Sequence, residues 1–543
     1  MKILKFLFVC LVFSSCMKGK KVDLIVHNAQ IHTMDDNNQV HEAMAIKNGK
    51  IVEVGPERQI LNKYRCDEEI DAQGKDVYPG LTDAHGHLIS YAKQKLSADL
   101  VGTKSFDELL VRCDKYRSHS NKKFIIGRGW DQSLWNEKEL PTNEKLSETF
   151  SKIPVCLYRI DGHAVLVNDF LLKKAGITAD TKIDGGEIVL KNGKPTGLLI
   201  DNAINLIQKY IPEFSHKDIS ETILEIQNEL VQYGITGVHE AGIENDEIAI
   251  FKKLIERNKL KINVYAMLMP TKKNKEFASK HGKYRFKNLS IRSFKVFADG
   301  ALGSRGALLK KPYTDANDSH GLLLTSVEEM REIANFCLRN KYQMNTHGIG
   351  DSANALILDI YKNAYEINPD HRFRVEHAQV IDPKDFEKFA AFAVFPSVQP
   401  THAVSDQRWV EARLGKDRLK GAYAYKSLLF QYGMLAIGTD FPVEQTNPFL
   451  TIHAAVERKN AENQPMDGFL KSEALTVDEV MYGMTKWAAF ASFEENRLGT
   501  LTKGKQATFV IFENKIESNP IFQQNFSWKT YIRGKLVYAS DEL

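Results

Sequence analysis

Val77-Tyr78-Pro79-Gly80-Leu81-Thr82-Asp83-Ala84-His85-Gly86-His87 sets an apolar, strand-like run directly before an acid and two histidines. His85 and His87 alternate along an extended segment, so both imidazoles point to one face, as two ligands of a single metal require. Alone, His-x-His is unspecific, because a histidine at a strand end also serves as an ordinary hydrogen-bonding group. Its meaning depends on what the other strands carry.

Residues 77–82 are the first of eight such runs. The others are 235–239, 262–267, 292–297, 342–345, 373–375, 393–398 and 435–438, and helical patterns at 219–233, 326–340 and 352–367 separate several of them. Short buried strands alternating with helices predict an α/β fold, a (β/α)₈ TIM-like barrel over residues 77–490. An open doubly wound sheet is the competing architecture, but no Gly-rich phosphate loop follows the first run. Barrel enzymes carry their active residues just past the C-terminal strand ends. His347 follows 342–345, His377 follows 373–375, and Asp440 follows 435–438 within Gly438-Thr439-Asp440-Phe441-Pro442. With His85 and His87 they form a candidate metal centre. Imidazole and carboxylate ligands suit Zn2+, with iron, manganese or nickel as other divalent candidates.

Residues 88–231 break the strand–helix cadence and hold their own turns, Asp184-Gly185-Gly186 and Asn192-Gly193-Lys194-Pro195. This stretch reads as an insertion after the first barrel strand that caps the active-site mouth and carries specificity. The ends share another texture. Residues 16–76 contain short apolar strands around the hairpin signal Asn48-Gly49, and 491–543 contain three more. Neither end has enough alternating apolar surface to fold alone, so the two are expected to pair into one small β-sandwich domain.

The 543 residues, 43% hydrophobic and 26% charged, have the composition of an ordinary globular protein. No basic block with interleaved aromatics occurs in the body of the chain, so nucleic acid is not an expected partner. Residues 1–15 read as a signal peptide of lipoprotein type: Lys2 and Lys5 precede an apolar run at 6–13 that is too short to span a bilayer. Removing these two lysines from the net charge of +4 leaves about +2. Phe13-Ser14-Ser15-Cys16 resembles a bacterial lipoprotein box with Cys16 as the lipidated residue, which would anchor the protein in the bacterial cell envelope, facing the periplasm or exterior. A plain secretory signal cut nearby is the alternative. Cys66, Cys113, Cys156 and Cys337 are scattered, without Cys-x-x-Cys spacing, and suggest neither a disulfide framework nor a zinc cluster.

With these segments placed, the chain resembles the amidohydrolase superfamily, and within it the family-3, YtcJ-like metal-dependent hydrolases. The likeness spans nearly all of the chain after the leader. Besides 79–87 and 438–442, it rests on Gly127-Arg128-Gly129-Trp130, Arg159-Ile160-Asp161-Gly162-His163, Asp299-Gly300-Ala301-Leu302-Gly303-Ser304-Arg305, Glu376-His377-Ala378-Gln379, Gln399-Pro400-Thr401-His402 and the tail 499–507. The resemblance implies metal ligation by His85, His87, a carboxylated Lys295, His347, His377 and Asp440, holding one or two ions. Lys295 paired with Asp299 or another acid is the alternative. Asp440 would be the catalytic proton shuttle. Trp130, Arg159, Asp161, His163, Asp299 and His402 are candidate substrate contacts, with Glu240 a further mouth-facing candidate expected to support them from behind. Equally, Arg159 and Asp161 could be a structural ion pair and Trp130 a core residue. The implied activity is hydrolysis of a non-peptide amide C–N bond in a small-molecule substrate of N-acyl or N-formyl amine type. A deaminase of the same superfamily is the alternative, weakened by the lack of a His-x-x-Glu helix segment. The third reading, a non-catalytic lipid-anchored binding protein, sits poorly with intact candidate ligands on five strands.

Overall fold

The computed structural model describes residues 19–120, 123–516 and 525–540. The expected leader, 1–15, and Cys16 lie outside the described residues. The centre is a sheet of eight parallel strands in sequential order: Leu81–Gly86 (β1), Ile235–Ile243 (β2), Asn263–Leu268 (β3), Leu289–Phe297 (β4), Gln343–Gly348 (β5), Arg374–His377 (β6), Phe395–Val398 (β7) and Ala436–Ile437 (β8). The seam between β8 and β1 is closed by the residues just beyond the strands. Asp440 N–H donates to His85 O at 2.7 Å, and His87 N–H to Phe441 O at 2.9 Å. The buried Asp83 carboxylate also accepts the Thr439 hydroxyl at 2.6 Å. The seam needs glycine at 438, where a Cβ would overlap the His85 amide nitrogen. The predicted barrel is therefore observed.

Helices cover the outside through apolar stripes. Val327–Asn340 turns Met330, Ile333, Ala334 and Cys337 inward, and the Ser326 side chain caps its start by accepting the Glu329 N–H. Asp351–Ile367 buries Ala353, Ile357, Ile360, Tyr361 and Ala364 in the same way. His216–Gln232, capped by Ser215, packs Ile219, Ile223, Ile226 and Leu230 into the barrel's main apolar core. This helix lies inside the 88–231 stretch yet belongs to the barrel wall. The lid proper is a six-stranded sheet between Ala98 and Asp201 with its own core of Leu100, Leu109, Trp130, Leu157 and Leu166.

The run 77–82 is not one strand. Asp76–Pro79 pairs antiparallel with Phe509–Phe512 in the terminal domain, and the chain re-pairs as β1 from Leu81 onward. The joint is Gly80, where a Cβ would overlap Thr236. Its neighbours on both sides are buried and apolar, so hydropathy does not mark the switch. The terminal domain consists of a four-stranded and a six-stranded sheet, the latter containing strands from both chain ends. Leu24, Val26, Ile31, Val77, Phe509 and Ile511 fill the core between them. At the expected hairpin, Asn48 (φ 52°) and Gly49 (φ 70°) both adopt left-handed backbone, as a two-residue turn of this twist requires. The four described cysteines are free.

Candidate metal centre

The strand ends bring His85, His87, Lys295, His347, His377 and Asp440 to the C-terminal face of the barrel. His85, His377 and Asp440 each offer a ligand atom, all within 4.8 Å of one another and all buried. His347 joins them, its ring centroid 4.5 Å from that of His377. His87 Nε2 lies 3.0 Å from Asp440 Oδ1, and Lys295 Nζ lies 3.2 Å from His85 Nε2. Two ring orientations are fixed from behind: His85 Nδ1 faces Glu376 Oε2 at 2.5 Å, and His377 Nδ1 faces Gln399 Oε1 at 2.8 Å. In both, Nδ1 carries the proton and Nε2 keeps its lone pair for the centre. Converging imidazole nitrogens and a carboxylate are the donor set of a divalent transition metal, so the residues fit such an ion. His377 (φ 75°) and Asp440 (φ 63°) hold left-handed backbone, a strain of about 1–3 kcal/mol each that persists where the surroundings over-determine it.

Behind the donors is a buried charge network. Arg374 reaches Glu376 at 2.7 Å and donates to Ala84 O and to Ser397 Oγ, both at 2.8 Å, and to His239 Nδ1 at 3.1 Å. Burial works against the Glu376 charge, but Arg374 and His85 outweigh it and keep the carboxyl well below its ordinary range. Burial, then the field of Lys295, lowers His85 to about 4. Burial likewise holds His347 and His377 well below the usual imidazole value, so all three imidazoles are neutral near pH 7. Burial lowers Lys295 to about 8. It pushes the other way on Asp440, where hydrogen bonds from His402 and His87 prevail and keep the carboxylate ionised.

Above the centre opens a cavity of about 770 Å³ whose lining includes His87, Arg159, Asp161, His163, His402 and Asp440. His402 bridges two acids, with Nε2 3.2 Å from Asp440 Oδ2 and Nδ1 3.2 Å from Glu444 Oε1. His163 Nδ1 lies 2.6 Å from Asp201 Oδ1. Asp201 has left-handed backbone (φ 50°), and Gly300 and Gly306 leave the room its carboxylate occupies. Arg159 does pair with Asp161, and also with Asp131 at 3.0 Å.

Two expected substrate contacts, Trp130 and Asp299, do not line the cavity, and Glu240 supports the site from behind, as expected. Trp130 is fully buried in the lid core, its Nε1 donating to Leu157 O at 2.8 Å. Asp299 accepts the backbone N–H groups of Leu308, Ile349 and Gly350 at 2.8, 3.0 and 2.8 Å. It therefore holds the loops after β4 and β5 and is not the ion-pair partner of Lys295. Glu240 accepts the N–H groups of Leu88 and Ile89, capping the helix that His87 begins. Sequence reasoning missed Arg374 and Glu376, although Arg374-Val375-Glu376-His377 carries a signal: charges inside a strand buried on both faces need partners. Replacing Glu376 by Gln should weaken divalent-metal binding about 10- to 100-fold, because the orienting carboxylate behind His85 is lost. Chelator competition measures this, and wild-type affinity in the variant refutes the role given to Glu376.

Comparison with known proteins agrees with this geometry. The amidohydrolase family model matches residues 68–538. The chain is 30% identical over 529 residues to YtcJ of Bacillus subtilis (strain 168), covering 95% of this chain and 99% of that one. It is 24% identical over 545 residues to the N-substituted formamide deformylase of Arthrobacter pascens, covering 95% and 98%. Its structure superposes on a metal-dependent hydrolase of Pyrococcus horikoshii OT3 with a TM-score of 0.74 at 27% identity, covering 91% and 98%. The chain belongs to the amidohydrolase family and is a hydrolase acting on carbon–nitrogen bonds.

Proposed function

We propose that the protein hydrolyses a non-peptide amide C–N bond of an N-acyl or N-formyl amine. One observation carries the reading: Asp440 lies between His87 and His402 at the cavity floor, beside the His85–His377 pair. The full-length likeness to a protein named for deformylating N-substituted formamides supports the substrate type. His85, His87, Lys295, His347, His377 and Asp440 would hold one or two divalent ions, for which Zn2+ suits the donors. Such an ion supplies Lewis acidity toward a water and a substrate carbonyl. Asp440 takes the proton of the attacking water at its carboxylate and returns it to the leaving nitrogen. His402, anchored between Asp440 and Glu444, holds that carboxylate in place and sets its charge. Asp440→Asn should keep the fold and most of the metal while losing turnover about 10²- to 10⁴-fold. The assay is amine release from N-acyl, N-formyl and cyclic amides by zinc-loaded protein. Ammonia in place of amine selects the deaminase alternative, and near-normal turnover by the variant removes Asp440 from the mechanism.

We further propose that Lys295 is carboxylated. Its neutral amine adds CO₂, the new N–C bond forming as a proton is released, and the resulting carbamate is an anionic ligand. Only the uncharged amine reacts, and burial lowers Lys295 to about 8. The reactive fraction therefore grows as pH rises through that value and shrinks below it. Metal-depleted protein given ¹³C-bicarbonate should show a carbamate carbon resonance that strengthens from about pH 7 to about pH 9. Lys295→Met should abolish it, and a wild-type spectrum without the resonance refutes carboxylation.

For the leader we propose cleavage before Cys16 and lipidation of that cysteine, tethering the enzyme to the bacterial cell envelope. In cells fed radioactive fatty acid the wild type should be labelled and Cys16→Ser should not. Equal labelling of both rules out the anchor at Cys16.

A further inference from the structure

The lid strand Ile125–Trp130 alternates regularly up to Arg128. Ile125 lies in the lid core, and Gly127 faces the same way, where a Cβ would come 2.8 Å from Leu100 Cδ1. Regular alternation would send Trp130 to the same side as Arg128. Instead the pairing with Val155–Arg159 slips between Arg128 and Trp130. The slip falls at Gly129, whose φ of 111° and close approach to the Val101 backbone leave no room for a side chain. This irregularity turns Trp130 into the core and leaves Arg128 on the cavity wall, the re-aiming for which bulges beside active sites serve.

Lys295 aside, which belongs to the cluster at the floor, the neighbouring cations of the cavity are neutralised by protein acids. Arg159 pairs with Asp131 and Asp161, Arg408 with Asp131 at 2.7 Å, and Lys95 with Glu229 at 3.1 Å. Arg128 differs: among the described residues no carboxylate lies within ion-pairing distance of it, and its Nε is buried without a hydrogen-bond partner. The turn beside it leaves the guanidinium free of crowding, since a Cβ at Gly162 (φ 77°) would come 3.0 Å from Arg128 Nη2. An unpaired guanidinium on the wall of a partly closed cavity offers a planar fork of donors matched to a carboxylate. That cavity also contains His87 and Asp440.

We propose that Arg128 binds a carboxylate of the substrate, so that the preferred substrates are N-formyl or N-acyl amino acids rather than neutral N-alkyl amides. This rests on the amide-hydrolase reading of the same cavity and adds to it the anionic group and the residue that selects it. The carboxylate completes an ion pair that the lid leaves open, and it fixes the amide relative to Asp440 on the cavity floor.

The test compares N-formylleucine with its methyl ester on zinc-loaded wild type, Arg128→Gln and Arg128→Lys. kcat/KM is read by amine release, and binding by calorimetry in the Asp440→Asn background, where turnover does not interfere. Wild type should favour the acid over the ester about 10- to 100-fold, the range of a charge-assisted pair, chiefly through KM. Arg128→Gln should bring that ratio to within about threefold of unity, and Arg128→Lys should keep part of it. Equal use of acid and ester by the wild type overturns the proposal, as does an undiminished preference in folded, metal-loaded Arg128→Gln. If neither compound is hydrolysed, the amide-hydrolase reading fails for this class, and the calorimetric acid–ester ratio still decides the role of Arg128.

Discussion

The ion pair of Arg374 with Glu376, and the hydrogen bond it passes to His85, is the constraint on which the centre depends. Both charges are fully buried inside the barrel, where an unpaired ion would cost several kcal/mol. Arg374 answers that cost by touching several strands at once: Glu376 on its own strand β6, Ala84 on β1, Ser397 on β7 and His239 on β2. An apolar core of equal volume could be as stable. What apolar side chains cannot do is hold His85 in a single tautomer with Nε2 facing outward. The network thus couples barrel geometry to the electronic state of the first donor.

Strain near the centre follows the same logic. His377 and Asp440 keep left-handed backbone because flanking contacts leave no alternative: Asp440 N–H is tied to His85 O, and His377 Nδ1 to Gln399. Asp299 and Glu240 contribute from outside the cavity. One fixes the loops after β4 and β5 and the other the helix after His87, each by spending carboxylate oxygens on backbone N–H groups. Such residues look catalytic in a sequence, since a buried acid beside a histidine is common to both roles.

That ambiguity marks what the sequence could reveal. The eight strands were legible because strands covered on both faces are almost wholly apolar, and the cluster of histidines with Asp440 because polar residues at strand ends have few other uses. Three things were not legible. The split of 77–82 at Gly80 separates two buried strands of the same hydropathy. The inward turn of Trp130 depends on a positive φ at Gly129, visible only once the register with Val155–Arg159 is known. The end of the insertion was not legible either: it was set at 231, although the helix read at 219–233 lies in the barrel wall, where Ile219, Ile223, Ile226 and Leu230 join the main core.

The division between barrel and lid has a physical consequence for specificity. The lid has apolar cores of its own, so it need not borrow burial from the barrel to fold. Around the cavity it is joined to the barrel by polar ties: Arg408 to Asp131 at 2.7 Å, and the Asn202 amide donating to Leu324 O at 3.2 Å. Polar ties of this kind set orientation without interdigitating two cores. Cavity-facing lid positions such as Arg128 and Asp161 can therefore change without disturbing the packing of the histidine cluster, whereas His163, its ring 5.1 Å from that of His347, is tied to it. The reverse does not hold for His85, whose environment is fixed by Arg374 and Glu376 deep in the barrel. The histidine–carboxylate cluster thus sits where substitution is most costly, and the lid side of the cavity where it is least so.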